Sequence, residues 1–194
     1  MSTQLAVKLT PEEYLAVERQ NEFKSEYWNG EMFAMAGASE AHNLIVTNVV
    51  RELSLQLKGR PCKVYSNDMR VRIPRTGLYT YPDIVVVCGA PKFEDKRHDT
   101  LLNPTVLVEV LSESTTGYEH GLKFEHYRNI ATLREYLLMA QTRPFIKRYI
   151  RQPETVFWLF TDTGDGQAVV ELPAIQCRLA LAEVYDKVEF EEQA

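Results

Sequence analysis

The segment NPTVLVEVLSEST, residues 103–115, carries a nearly unbroken run of valine and leucine with one glutamate, Glu109, in its middle. A continuous apolar run of this length is typical of a strand that is covered on both faces of a sheet. A carboxylate inside such a strand is costly unless it is neutralised, pairs with a cation or binds a metal. The segment therefore predicts a buried strand and a specific role for Glu109.

A second carboxylate stands at the start of the preceding apolar segment, YPDIVVVCG, residues 81–89. The chain between Asp83 and Glu109 is long enough for two adjacent strands and their connection. If these strands pair, both side chains can converge at one end of the sheet. Oxygen ligands of this type suit a hard divalent cation, Mg²⁺ or Mn²⁺, and do not favour zinc.

Each acid also has a structural interpretation. Asp83 follows a proline and is compatible with a turn that leads into the strand. Glu109 is compatible with a buried ion pair to Arg70 or Arg72, which alternate with apolar residues in DMRVRIP, residues 68–74. That alternation predicts one basic strand face, which either contacts phosphate groups or is simply an exposed polar face.

The remaining patterns predict one mixed α/β domain, of the α+β kind, that spans residues 1–194. A helix begins at Thr10 with a capping box to Glu13, and an Asn-Gly hairpin turn is centred on residues 29–30. Helical periodicity covers residues 39–59 and 117–130. Further strands are expected at residues 62–74, 134–140, 145–151, 155–160 and 168–172, and a terminal helix at residues 179–190.

The composition of the chain excludes few classes of protein. The net charge of −5, with 45% hydrophobic and 25% charged residues, does not suggest a purely electrostatic nucleic-acid binder. Three widely spaced cysteines (Cys62, Cys88 and Cys177) without a C-x-x-C pair predict neither a disulfide framework nor a zinc site. No signal-peptide pattern and no apolar run of membrane-spanning length occur, so a soluble cytoplasmic protein is expected.

Lys123 lies on the helix predicted after Glu109, four residues beyond Glu119. At this spacing the two side chains can form an ordinary surface pair. The same pair can instead aim the ammonium group at a phosphate or at a metal-bound water, where it would stabilise developing charge.

The ordered series YPDIVVV, VLVEVLSEST and YEHGLKFEHYRNIATLREYLLM resembles the Uma-type restriction endonucleases of the PD-(D/E)XK nuclease superfamily. The resemblance also takes in LTPEEYL and EYWNGEMFAMAGASEAH, so it extends from Leu9 to about Trp158. It implies a restriction-endonuclease-like mixed central sheet flanked by helices, with an N-terminal hairpin and a C-terminal β-meander. The implied activity is a Mg²⁺- or Mn²⁺-dependent endonuclease that hydrolyses phosphodiester bonds, with DNA as the expected substrate.

The same resemblance implies roles for individual residues. Asp83 matches the motif aspartate and Glu109 the acidic strand residue, both as metal ligands, with the backbone carbonyl of Val110 as a further candidate. The usual superfamily lysine would stand at Leu111, so the chain departs from the general pattern there. In the Uma-type pattern the lysine is displaced onto the following helix, where Lys123 matches it as a catalytic residue.

Three further positions enter through the resemblance. Glu26 looks like the N-terminal acid that completes such sites, as a metal ligand and catalytic residue. Glu119 occupies a position where the family usually has aspartate. His42 matches the pattern at the start of a helix, where it either supports the site by contacting substrate or acts as a capping or packing residue.

Two rival functions differ from a DNA endonuclease. One is a non-catalytic nucleic-acid-binding or interaction protein that retains the fold, and the other is a metal phosphoesterase that acts on small phosphates. Cleavage of both strands of a duplex would favour a homodimer, although no segment of the sequence identifies an interface.

Overall fold

The computed structural model describes residues 8–111 and 119–190, and at residues 119 and 120 it describes the backbone alone. In chain order the elements are α1 (Pro11–Glu18), β1 (Ser25–Trp28), β2 (Glu31–Ala34), α2 (Glu40–Gln56), β3 (Cys62–Ser66), β4 (Arg70–Ile73), β5 (Leu78–Thr80), β6 (Ile84–Cys88), β7 (Thr100–Leu101), β8 (Val106–Leu111), a π-helical turn (Glu119–Lys123), α3 (Phe124–Tyr127), β9 (Glu135–Ala140), β10 (Ile146–Arg151), β11 (Trp158–Thr163), β12 (Val169–Leu172), β13 (Cys177–Ala180) and α4 (Leu181–Val184). None of the described helices has the length and apolar composition that a membrane span requires.

The strands form a six-stranded sheet in the order β11-β10-β9-β8-β6-β3 and a five-stranded sheet in the order β2-β1-β5-β4-β7. The larger sheet is mixed, because β8 and β9 run parallel while its other neighbours run antiparallel. Strands β9, β10 and β11 form the predicted C-terminal meander, and β1 and β2 form the predicted N-terminal hairpin. The predicted mixed sheet with flanking helices is confirmed.

Strand β8 is buried on both faces, as its continuous apolar sequence predicts. Val106, Val108 and Val110 pack in a core shared with α2, whereas Leu107 and Leu111 pack in a second core with β4 and β5. Because side chains alternate along a strand, Glu109 shares its face with the two leucines. The carboxylate therefore lies between the two large sheets.

The start of the chain follows its local signals. Thr10 and Glu13 form the predicted capping box at α1, with Pro11 in the first turn. The hairpin turn places Asn29 and Gly30 at φ values of 52° and 90°, in the left-handed region that Asn-Gly turns require. A side chain at position 30 would also collide with Lys8, because an added Cβ would lie 2.7 Å from the Lys8 Cβ.

Residues 62–74 do not form the single strand that the alternation predicts. The chain turns at Asn67, whose φ is 46°, and the two halves join different sheets. Strand β3 pairs with β6, whereas β4 pairs with β5 and with β7. The alternation of basic and apolar residues does not indicate that the chain leaves one sheet and enters another at Asn67.

The predicted terminal helix over residues 179–190 is wrong for most of its length. Cys177–Ala180 forms β13, and only Leu181–Val184 is helical. Leu179 pairs with Val170 across the β12–β13 hairpin and is fully buried there. Pairing with the preceding strand in a hairpin thus overrides the local helical periodicity.

Cysteine pairing also differs from the sequence prediction. Cys62 and Cys88 stand directly opposite each other in the β3–β6 pair and form a disulfide, while Cys177 is free and buried. Their Cα atoms are 4.0 Å apart. The pairing depends on the register of two strands, which the spacing of cysteines along the chain does not reveal.

A cluster of ion pairs connects the C-terminal end of α1 to the residues just before β7. Arg19 places its guanidinium against both carboxylate oxygens of Asp99, at 2.8 and 2.9 Å, and also reaches Asp95 at 2.7 Å. Asp99 lies 3.2 Å from Arg70 as well and accepts a hydrogen bond from Thr100. The Arg19 guanidinium lowers the pKa of the Asp99 carboxyl to about 2.

The Asp99→Asn variant is expected to lose about 1 kcal/mol of unfolding free energy at pH 7, a figure that allows for solvent screening of this partly exposed group. Because the folded-state pKa is lowered, the stabilisation is complete above the unfolded pKa of about 3.9 and disappears as the pH falls towards 2. Urea unfolding at pH 7, 4 and 2.5 should show the difference shrinking below pH 4. A difference that stays constant would contradict it, and Asp68→Asn, at an exposed pair with Lys24, serves as the control.

Candidate active site

Asp83 and Glu109 meet because β6 and β8 pair in antiparallel fashion, with Ile84 opposite Val108. The residues just outside this pair, Asp83 and Glu109, are therefore neighbours at one end of the sheet. The Val110 amide donates to Asp83 Oδ2 at 2.7 Å, and the Asp83 amide lies 3.4 Å from Glu109 Oε2. The predicted convergence of the two strands is confirmed.

Lys123 lies between two carboxylates. Its Nζ is 3.2 Å from Glu109 Oε1 and 3.1 Å from Glu26 Oε1, and all three side chains are buried. Glu26 also accepts a hydrogen bond from Thr80 on the neighbouring strand β5. A buried ammonium shared by two buried carboxylates compensates charge that neither acid could carry alone in this environment.

The hydroxyl of Tyr127 donates to Glu109 Oε1 at 2.6 Å. Complete burial raises the pKa of Tyr127 well above its usual value, and the Glu109 charge raises it further, so the phenol keeps the proton that it donates. Tyr127 is not among the residues that the sequence predicts for the site. Tyr127 stands four residues after Lys123, so both lie on one helical face, and that spacing is the signal by which it could have been found.

His42 also reaches the site. It lies in the first turn of α2, where the Ser39 hydroxyl caps the helix by accepting from the His42 amide. The imidazole Nε2 is 3.2 Å from Asp83 Oδ1, whereas the Val110 amide donates to the other carboxylate oxygen. The side chain thus orients Asp83 and does not itself cap the helix.

The two arginines are not part of this constellation. Arg70 is buried and bonds to Thr100 and Tyr81 besides approaching Asp99, and Arg72 pairs with Glu94. The exposed basic face is not found among the described residues, and the acids that pair with the two arginines are Asp99 and Glu94, not Glu109. Val71 and Ile73 face the core between the sheets, whereas the two guanidinium groups lie on the other face of β4, over the rings of Tyr14 and Tyr79. The alternating pattern cannot show that this second face is covered as well. Their assignment as phosphate-contacting residues gains no support, because both cations are already neutralised away from the two acids.

An open cleft of about 770 Å³ lies between the β1–β2 hairpin and the start of α2. It is lined by Glu26, His42, Asp83, Glu109 and Lys123. We call it the carboxylate cleft. Its walls include residues 33–39 of the chain and the backbone of Val110. Five of the seven predicted site residues thus meet in one cleft. The side chain of Glu119 lies outside the described residues, so its predicted pair with Lys123 stays a prediction.

The oxygen donors of Asp83 and Glu109 suit a hard divalent cation. Within residues 8–111 and 119–190, however, no three His, Cys, Asp or Glu side chains already surround one point that could hold a metal. Lys123 occupies the position between Glu26 and Glu109. The Asp83–Glu109 pair fits such a cation, and Glu26 could join it only by giving up contacts to Lys123 and Thr80.

Comparison with known proteins places these features in a wider group. The family model described as "Uma2: Putative restriction endonuclease" matches residues 11–182. The uncharacterized proteins sll1609 and slr1290 of Synechocystis sp. (strain ATCC 27184 / PCC 6803 / Kazusa) are 37% and 33% identical to the chain. These alignments cover 84% and 94% of this chain and 92% and 94% of the two relatives.

A similar fold occurs in the crystal structure of a protein described as "a putative nuclease belonging to DUF820", from Anabaena variabilis ATCC 29413. The superposition has a TM-score of 0.74 and covers 91% of this chain and 97% of the other. The sequences are 18% identical, so this likeness concerns the fold alone.

Proposed function

The chain belongs to the family described as "Uma2: Putative restriction endonuclease". From that premise we propose that it hydrolyses phosphodiester bonds of DNA with the aid of Mg²⁺ or Mn²⁺. One observation carries the proposal. Asp83 and Glu109, from neighbouring strands, stand side by side in an open cleft with a buried lysine against one of them. Phosphodiester hydrolysis needs groups of these kinds, because carboxylates bind the divalent cation and an ammonium group stabilises the negative charge of the phosphate.

Asp83 and Glu109 would hold the cation, with the Val110 carbonyl and Glu26 as further oxygen donors. When bound, a divalent cation polarises a phosphoryl oxygen and makes a water more acidic. Side chains of the protein orient these carboxylates. Tyr127 fixes Glu109 through its hydroxyl, and His42 fixes Asp83, so both carboxylates keep their orientation.

Lys123 is the catalytic cation in this proposal. Its ammonium already lies at hydrogen-bond distance from Glu109, and it is held at the end of a π-helical turn next to α3. A phosphate in the carboxylate cleft would bring negative charge to the same point. The ammonium can then stabilise the charge that builds on the phosphoryl oxygens during attack by water.

Cleavage assays test the proposal. The substrates are supercoiled plasmid, linear duplex, single-stranded DNA and RNA, each incubated in parallel with EDTA, Mg²⁺ or Mn²⁺. We expect DNA cleavage with either metal and none with EDTA. Cleavage of a small phosphate diester without cleavage of any polynucleotide would favour the phosphoesterase. Absence of cleavage, together with a melting temperature that added metal does not raise, would favour a non-catalytic protein that retains the fold.

A further inference from the structure

Two phenylalanines stand exposed in the wall of the carboxylate cleft. The side chain of Phe23, just before β1, is 76% exposed, and that of Phe33, on β2, is 46% exposed. Large aromatic side chains normally bury most of their surface, so two exposed rings in one cleft mark a surface that is suited to a flat ligand.

Phe33 lies immediately beside the acids. It stands directly opposite Glu26 in the β1–β2 hairpin, and residues directly opposite in an antiparallel pair project to the same face. Glu26 in turn contacts Lys123. The Phe33 ring therefore borders the point where the proposed chemistry takes place, and Phe23 extends the aromatic surface along the same cleft.

The charges of the cleft do not match a duplex. Proteins that bind duplex DNA neutralise many phosphates of both strands with lysine and arginine. Among the described residues that line the cleft, the acids outnumber the bases, and the chain as a whole carries a net charge of −5. The acids are Glu22, Glu26, Asp83 and Glu109, and the lysines are Lys24 and Lys123, with His42 as a further base. One divalent cation at the acids would bring the sum of the carboxylate and lysine charges only to zero.

We infer that the carboxylate cleft binds unpaired nucleotides of single-stranded DNA, with Phe23 and Phe33 stacking on the bases that flank the reacting phosphodiester. The inference rests on the proposed function, because it assigns the substrate class of the same site. Stacking on an aromatic ring is available only to bases that have left the duplex, and each stacked base contributes about 1–3 kcal/mol whatever its phosphate contacts. One polynucleotide strand then places a single phosphate at Lys123 while its bases occupy the two rings.

Binding of fluorescent oligonucleotides, followed by anisotropy, tests this inference. The probes are a single-stranded oligothymidylate, a backbone of equal length without bases, and a duplex, each in EDTA and in Ca²⁺, which takes the same oxygen ligands as Mg²⁺. We expect the oligothymidylate to bind most tightly. Phe23→Ala and Phe33→Ala should each weaken that binding by about 5- to 100-fold and leave binding of the base-free backbone unchanged.

Two exposed phenylalanines outside the cleft provide matched controls. Phe157 is 71% exposed and Phe160 is 47% exposed, close to the values of Phe23 and Phe33, respectively. Phe157→Ala and Phe160→Ala should bind all three probes like the wild type. Tighter binding of the duplex, equal effects of cleft and control variants, or no oligothymidylate binding in either buffer would overturn the inference.

The binding assay is independent of the cleavage assay. If oligothymidylate binds and Phe23→Ala weakens it, but no substrate is cleaved with Mg²⁺ or Mn²⁺, the single-strand site stands and the nuclease proposal fails. If duplex is cleaved and Phe23→Ala has no effect on binding, the nuclease stands and the stacking site fails.

Discussion

Replacement of Asp83 by asparagine is expected to lower the rate of metal-dependent DNA cleavage by about 1,000-fold or more, which corresponds to at least about 4 kcal/mol of transition-state stabilisation. The asparagine oxygen can still accept the hydrogen bond from the Val110 amide, so the strand ends keep their arrangement. What is lost is the negative charge that would hold a cation beside Glu109. The variant should therefore fold and yet fail in catalysis.

Single-turnover cleavage in Mg²⁺ measures the effect, and thermal unfolding in EDTA checks that Asp83→Asn is folded. The matched control is Asp162→Asn on β11, an exposed aspartate outside the carboxylate cleft, for which the rate should be unchanged. An Asp83→Asn rate within about tenfold of the wild type would remove Asp83 from the metal-binding role, because loss of a direct ligand has larger effects than loss of a supporting contact.

Replacement of Lys123 by methionine is expected to lower the unfolding free energy by about 3 kcal/mol in EDTA, since removal of one partner from a buried ion pair leaves uncompensated charge. Here the ammonium serves two buried carboxylates, Glu26 and Glu109. Methionine retains most of the apolar stem, so the loss reports on charge more than on packing. Added Mg²⁺ should recover part of the loss, because a divalent cation can bind the same carboxylates.

Urea unfolding with EDTA and with Mg²⁺ measures both effects. Lys58→Met is the control, because Lys58 is exposed and lies outside the carboxylate cleft, and it should change stability by less than about 1 kcal/mol. If Lys123→Met is as stable as the wild type in EDTA, the buried ion pair does not contribute to the unfolding free energy. If Mg²⁺ raises the stability of the wild type but not that of the variant, the metal and the ammonium act at separate places.

The sequence reveals the acids of the site because they contradict their surroundings. Glu109 interrupts an apolar strand and Asp83 directly precedes one, and the pairing of β6 with β8 is the simplest arrangement that gives both acids a common environment. The capping box and the Asn-Gly turn are equally local, so the ends of α1 and the β1–β2 hairpin are predictable as well. Glu26 and Lys123 depend on the family resemblance, because their isolated positions look like ordinary surface charges.

What the sequence could not show depends on contacts between distant segments. Arg70 and Arg72 alternate like residues of an exposed face, yet Asp99 and Glu94 neutralise them on the face of β4 that lies towards α1. The Cys62–Cys88 disulfide requires the register of β3 against β6. Such pairings are set by the packing of the whole sheet, and no local periodicity encodes them.

The parallel pairing of β8 with β9 has a consequence for how this site can be inherited or rebuilt. Glu109 and Lys123 lie within a single strand–connection–strand unit, residues 106–140, whereas Asp83 and Glu26 belong to other parts of the chain. Exchange of that unit between two relatives would transfer an acid and its cation together, already matched to each other. A functional chimaera is therefore best made by exchanging residues 106–140 as one piece and leaving the rest of the chain, which supplies Asp83 and Glu26, unchanged.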